Sequence, residues 1–293
     1  MKIENIGVMS PGDMGQAVAQ QLKQRGFNVC TALDKRSARS RALAREAGLT
    51  DVGTLGQLTE QCEVILSVMN PGAALEFSGE VAQALRANQR RPLFVDCNAI
   101  APVTMRAVNA NITGAGGRCA DGGIVGPPPR GTAKMCLYVS GPEARELEQL
   151  ATPQISVSVL SERVGDASAV KMCYGAMNKG VIALALEVLL AARRLGVDAA
   201  FETQLMETQR DVYERVIRGL PGMPPKAHRW VPEMLEIART FEAVGMTPRV
   251  FLGAADIYEF VAATPLGKET PESRDKSRGG KEVVKMLADA PVE

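Results

Sequence analysis

What most constrains this chain is the alternation of two hydrophobic periods through its first half. Short β-type runs stand at residues 3–9, 28–33, 63–69, 92–96, 118–121, 135–139 and 155–160. Helix-type stretches separate the first five of them, at 14–25, 37–47, 55–61, 72–88 and 101–111. A strand, a crossover helix and a second strand at this spacing pair as parallel neighbours, so the pattern predicts a doubly wound α/β sheet. From about residue 165 the strand signals stop. Val170, Tyr174, Met177, Val181, Leu184, Val188 and Leu195 then mark a helix of roughly 30 residues that ends at Gly196. It is apolar around most of its circumference and should be covered on several sides, between two domains or in a subunit interface. Further helical patterns at 199–218, 231–244 and 248–263, broken by the Pro/Gly stretch 219–225, predict an all-α second domain. The expected division is 1–162 and 163–293, with the charged segment 268–281 as a solvated loop.

Composition removes several functions. Lys plus Arg number 34 against 33 Asp plus Glu, and a net charge of +1 gives no broad field for holding nucleic acid or an anionic membrane. Cysteines 30, 62, 97, 119, 136 and 173 show neither metal-finger nor disulfide-framework spacing, and read as buried thiols of a reducing cytoplasm. With one histidine, His228, a multi-histidine metal site is impossible and no metal is expected. The start lacks a signal-peptide core, and the apolar run 180–192 is too short to span a bilayer, so a cytoplasmic location is expected.

The first strand runs into Ser10-Pro11-Gly12-Asp13-Met14-Gly15 and an amphipathic helix. Ser10, Gly12 and Gly15 fill the three small-residue places of a dinucleotide-binding turn. The first makes the turn, Gly12 lets backbone amides approach a diphosphate, and Gly15 lets helix pack on strand. The helix N-terminus, with Ser10 to Met14, then faces the phosphates. After the second strand, Asp34 is placed to bond the ribose hydroxyls of NAD, whereas Arg36, Ser37 and Arg39 could surround the 2′-phosphate of NADP. The two signals conflict; an outward Asp34 with Arg36 stacked on adenine favours NADP.

Three later segments narrow the reading: Phe94-Val95-Asp96-Cys97-Asn98-Ala99-Ile100-Ala101-Pro102, then Asp121-Gly122-Gly123-Ile124-Val125-Gly126-Pro127 through Arg130-Gly131-Thr132, then Gly165-Asp166-Ala167-Ser168-Ala169-Val170-Lys171. In order and spacing, with the N-terminal turn, they resemble the β-hydroxyacid dehydrogenase family, which shares its cofactor domain with 6-phosphogluconate dehydrogenase. The resemblance covers about the first 195 residues; the rest looks like the helical domain of a less characterised branch. It implies a Rossmann-type domain, a helical substrate and dimerisation domain, hydride transfer with nicotinamide, and a homodimer. It also implies that Lys171 is the acid/base for the substrate hydroxyl. A lysine desolvated on an apolar helix can have its pKa lowered enough for that role. By the same resemblance Val68, Met69 and Asn98 line the cofactor, and Asn98, Ala99, Gly122, Gly123, Ile124 and Lys171 meet the substrate.

The sequence also departs from the family. Val125 stands where many members have a serine, and Tyr174 and Gly175 follow Lys171 where asparagines are usual. Tyr174, one turn from Lys171, is either a second proton donor or a packing residue. The principal expectation is an NAD(P)-dependent oxidoreductase of a small hydroxylated substrate such as a 3-hydroxy acid. An imine reductase and a non-catalytic NADP-binding protein are the alternatives. His228, the Arg229-Trp230 pair and Lys179 are secondary candidates for cleft or packing roles.

Overall fold

The structure, a computed structural model, describes residues 2–291. Its first part is built from β1 (Asn5–Met9), α1 (Asp13–Arg25), β2 (Asn28–Thr31), α2 (Ala38–Glu46), β3 (Thr50–Asp51), α3 (Leu55–Gln61), β4 (Val64–Ser67), α4 (Ala74–Ala87), β5 (Leu93–Asp96), α5 (Pro102–Thr113), β6 (Arg118–Val125), β7 (Met135–Ser140) and β8 (Ile155–Ser161). The strands form one sheet in the order β3-β2-β1-β4-β5-β6-β7-β8. Every neighbouring pair is parallel except β6 and β7, which run antiparallel. The central strands β4 and β5 are buried at every position, which explains their continuous apolar sequence. Two apolar layers cover the sheet. Val18 and Leu22 of α1 pack with Val8, Leu66, Val95 and Leu137 on one face; Phe77, Val81 and Leu85 of α4 and Met105 and Ile112 of α5 pack with Ile65 and Phe94 on the other.

Strand β1 has β2 on one side and β4 on the other, so the connections out of β1 and β4 lead in opposite directions. That switch point opens a crevice at the C-terminal strand ends, where ligands of such sheets bind. Met9, Val68 and Met69 stand there, and Val68 N–H bonds to Met9 O at 2.9 Å.

The remaining elements are helical: α6 (Asp166–Arg194), α7 (Asp198–Thr208), α8 (Arg210–Gly219), α9 (Ala227–Glu242), α10 (Arg249–Ala263), α11 (Pro265–Lys268) and α12 (Gly280–Ala288). The chain divides into two compact units, Met1–Tyr174 and Gly175–Glu293, and the division falls inside α6. The expected 199–218 helix is two helices, because Gln209 leaves helical geometry at φ −142° and ψ 35°. The Pro/Gly break becomes two 3-10 turns, Leu220–Gly222 and Pro224–Lys226. Helix α6 spans 29 residues, and its best 18-residue window has a mean hydropathy of 1.5. It is thus long and apolar enough by composition to cross a membrane, which the 180–192 run alone is not. About a third of that window is buried.

In the second unit Trp230 packs edge-on against Tyr258 at 5.1 Å, and Phe241 lies 4.6 Å from Phe251. Lys179 forms an ion pair with the buried Glu233, and its ammonium lies 5.0 Å from the Trp230 ring. The cation over Trp230 is therefore Lys179. Four cysteines are buried as expected; Cys136 is half-buried and Cys173 is exposed on α6.

Candidate active site

The glycine-rich turn shows why each small residue is there. Ser10 takes a left-handed φ of 56°, a strained conformation for a side-chain-bearing residue, and Gly12 N–H closes the turn on Ser10 O at 2.7 Å. A Cβ on Gly15 would meet Ser10 O at 2.7 Å, so that glycine is required by the close seating of α1. A Cβ on Gly12 would come no nearer than 4.0 Å to Ser10 O. The protein's own packing does not demand this glycine, and the space beside it is open to a ligand. No side chain caps α1 at Gly12, which leaves its first-turn N–H groups to an anion.

Against Met9, the residue before this turn, is a cavity of about 290 Å³ lined by residues that include Asp34, Arg36, Leu55, Phe77 and Glu80. It lies past the ends of β1 and β2, where the adenosine of a dinucleotide belongs. The Arg36 guanidinium lies 5.7 Å from the Phe77 ring centroid, a cation–π arrangement on the cavity wall. Asp34 is exposed, as an outward-turned acid requires. Arg41 braces the loop by donating from Nε to Arg36 O and from Nη2 to Asp34 O, both at 3.1 Å. Ser37 caps α2, its Oγ accepting from Ser40 N–H at 3.2 Å, so its oxygen already has a structural use. The uncapped helix, the open Gly12 and this cavity fit a dinucleotide.

On the other side of the switch point the structure reassigns several residues. Asn98 is buried and uses its whole carboxamide internally: Oδ1 accepts from Met69 N–H at 2.5 Å, and Nδ2 donates to Ser67 Oγ and Asp96 Oδ2, each at 2.9 Å. Neither N–H is left for a substrate; Asn98 ties the end of β4 to the end of β5. Gly122 and Gly123 lie inside β6, which runs four residues past the expected 118–121, and not in a turn. A Cβ on Gly122 would meet Cys97 Sγ at 2.9 Å. The Ile124 side chain belongs to the core beneath α1, because alternate residues of a strand face opposite ways. Ala99 is buried as well.

The other face of β6 carries Asp121 and Gly123, and the first turns of α6 rest on it. A Cβ on Gly123 would meet Ala167 O at 2.6 Å and Lys171 Cβ at 3.3 Å, so the glycine is the notch that seats the lysine's stem. Asp121 binds the start of the helix. Its Oδ2 accepts from Gly165 N–H and Ser168 N–H at 2.9 Å and from Ser140 Oγ at 3.0 Å, and its Oδ1 from Ser168 Oγ at 2.6 Å. Lys171 is half-buried, and Tyr174, at 46% relative accessibility, is exposed and not packed. No role for Asp121 is expected from the sequence motifs. Its place two residues before Gly123, on the same strand face, was the available signal.

Asp121 is also paired in register with Asp96 on β5, and both are buried. Burial above all, with the neighbouring Asp121 adding to it, pushes Asp96 up to about 7 against the Asn98 hydrogen bonds that pull it down. Burial likewise raises Asp121 despite its four donors. A carboxyl raised from 3.8 to about 7 contributes stability that is full below pH 3.8 and lost as pH rises through 7. Wild type is expected to lose about 2–3 kcal/mol between about pH 5 and about pH 8 relative to Asp96→Asn. Denaturant unfolding of both proteins at the two pH values checks this, and parallel pH profiles would contradict it. The variant is less stable overall, since its amide group must face one of the Asn98 donors.

Comparison with known proteins agrees with the fold. Residues 5–152 match the family model described as the NAD binding domain of 6-phosphogluconate dehydrogenase. Residues 192–261 match a Domain of unknown function (DUF1932). A conserved protein of unknown function, reported for its structural similarity with 3-hydroxyacid dehydrogenases, is 29% identical, with 90% of this chain and 100% of that one covered and a TM-score of 0.62. Mycobacterium tuberculosis 3-hydroxyisobutyrate dehydrogenase, solved with L-serine, is similar in fold at 19% identity, 98% and 99% coverage and a TM-score of 0.68. An imine reductase variant from Myxococcus stipitatus, solved with NAD+, has 18% identity, 98% and 100% coverage and a TM-score of 0.54. With a family model matched over half its length, this chain belongs to the family of the 6-phosphogluconate dehydrogenase NAD binding domain.

Proposed function

We propose that the protein is an NADP-dependent oxidoreductase of a small hydroxylated substrate, a 3-hydroxy acid by class, with Lys171 as its general acid/base. The observation that carries this reading is the Gly123 notch, which seats the stem of Lys171 against β6 while Asp121 holds the first turn of α6. A bound nicotinamide supplies or accepts the hydride. Lys171 takes the hydroxyl proton in oxidation and returns it in reduction. The α1 N-terminus and Gly12 bind the diphosphate, and Arg36, on the wall of the adenosine cavity, favours a 2′-phosphate. Met177, Leu184 and Val188 of α6 and Val250 of α10 are exposed apolar side chains of the second unit, which supports a homodimer.

Fluorescence titration with NADPH and NADH side by side tests the cofactor reading. NADPH is expected to bind more tightly, and Arg36→Ala to weaken NADPH about tenfold with little effect on NADH, the loss of one charge-assisted contact. Equal affinities in wild type, unchanged in the variant, would remove Arg36 from the reading. Exposed Tyr174, one turn from Lys171, favours imine reduction as a second reading. Turnover of cyclic imines without activity on hydroxy acids would select it, and NADPH binding with no turnover in either panel would select a non-catalytic role.

A further inference from the structure

Asp13 is an acid in the first turn of α1, where a bound diphosphate would meet it as a like charge. Arg130 answers that charge from 117 residues away. Its Nη1 donates to Asp13 Oδ1 at 2.6 Å, and its Nη2 donates to Asp13 O at 2.9 Å and to Gln16 Oε1 at 3.1 Å. These bonds use three of the five N–H groups of a guanidinium, and the side chain keeps 44% of its accessibility. The segment carrying Arg130 joins β6 to β7 and holds itself in shape. Arg130 N–H bonds to Pro128 O at 2.9 Å, Ala133 N–H bonds to Arg130 O at 3.0 Å, and Pro127, Pro128 and Pro129 restrict the approach.

The geometry points to Arg130 as a binding residue for the diphosphate of the dinucleotide, an inference that rests on the dinucleotide reading above. A diphosphate at the open Gly12 and the uncapped N-terminus of α1 draws the guanidinium from the Asp13 carboxylate onto a phosphate oxygen. The phosphate offers more negative charge and the same fork-shaped geometry. Asp13 then has opposite effects in the two states: it parks Arg130 over the turn before the nucleotide arrives, and it competes with the phosphates afterwards. The β6–β7 segment, continuous with the strand that seats Lys171, is thereby fixed by the nucleotide's arrival.

The test is a titration of full-length wild type, Arg130→Met, Asp13→Asn and the double variant with two ligands. One is the tighter-binding of NADPH and NADH; the other is the matching fragment without a diphosphate, adenosine 2′-monophosphate or adenosine. Arg130→Met is expected to weaken the dinucleotide about tenfold and leave the fragment within about twofold. Asp13→Asn is expected to hold or improve dinucleotide affinity, and the double variant to recover part of the loss. A purely structural ion pair predicts something different: both single variants weaken binding alike, or Arg130→Met weakens the fragment as much as the dinucleotide. Either result, or an unchanged Arg130→Met, would overturn the inference while the dinucleotide reading stands. Failure of wild type to bind any of these nucleotides would remove that reading and the inference with it.

Discussion

Lys171→Met is expected to lower kcat on a 3-hydroxy acid that the wild type turns over by about a thousandfold while changing nucleotide affinity less than about twofold, the range for a lost general acid/base. Lys171→Arg should be almost as inactive. It keeps the positive charge but cannot give up a proton near neutral pH, so comparison of the two variants separates proton transfer from simple charge stabilisation. Steady-state kinetics with a parallel nucleotide titration provides both readouts. Full turnover in either variant would leave Lys171 as a packing residue on α6 and move the chemistry towards Tyr174. The Gly123 notch provides an internal control. A side chain there meets Ala167 O at 2.6 Å, so Gly123→Val should impair turnover by displacing the lysine's helix.

The largest expected loss of stability belongs to Asp121→Ala, about 3–5 kcal/mol in denaturant unfolding. The substitution leaves Gly165 N–H, Ser168 N–H and the hydroxyls of Ser140 and Ser168 without their common acceptor in the interior. Asp121→Asn should be milder, about 1–2 kcal/mol. Its one carbonyl oxygen can keep the three donors now on Oδ2, and its NH2 can face Ser168 Oγ, which accepts once its hydroxyl rotates. Equal losses in the two variants would show that charge, not acceptor geometry, holds the helix. Asp121 is also among the causes that raise Asp96, so Asp121→Asn should move the Asp96 transition to lower pH.

The parts of this molecule that were legible in sequence are those fixed by local pattern. The buried parallel strands announce themselves as apolar runs, and the turn from Ser10 to Gly15 has its neighbours in sequence as its neighbours in space. Strand β3 escaped because two exposed residues, Thr50 and Asp51, carry no periodicity. The end of β6 escaped because glycine is a poor strand former; Gly122 and Gly123 are tolerated there by how closely Cys97 and α6 approach. Asn98 looked like a ligand donor until its partners Ser67 and Met69 were brought to it by a neighbouring strand. Asp121 and Arg130 act over 47 and 117 positions respectively, distances at which spacing along the chain carries no signal.

The single antiparallel pairing in the sheet has a consequence for how this protein can change. Since β7 turns straight back along β6, the segment between them is a hairpin rather than a crossover. Both of its ends are anchored in adjacent strands, and its length is a free variable: doubling a flexible loop costs only about 0.6 kcal/mol in closure entropy. Insertions beyond Gly126 that spare Arg130 and its bonds to Asp13 and Gln16 therefore leave the sheet and the seat of Lys171 in place. Selection can vary the length of this one short stretch while the paired strands beneath it stay fixed.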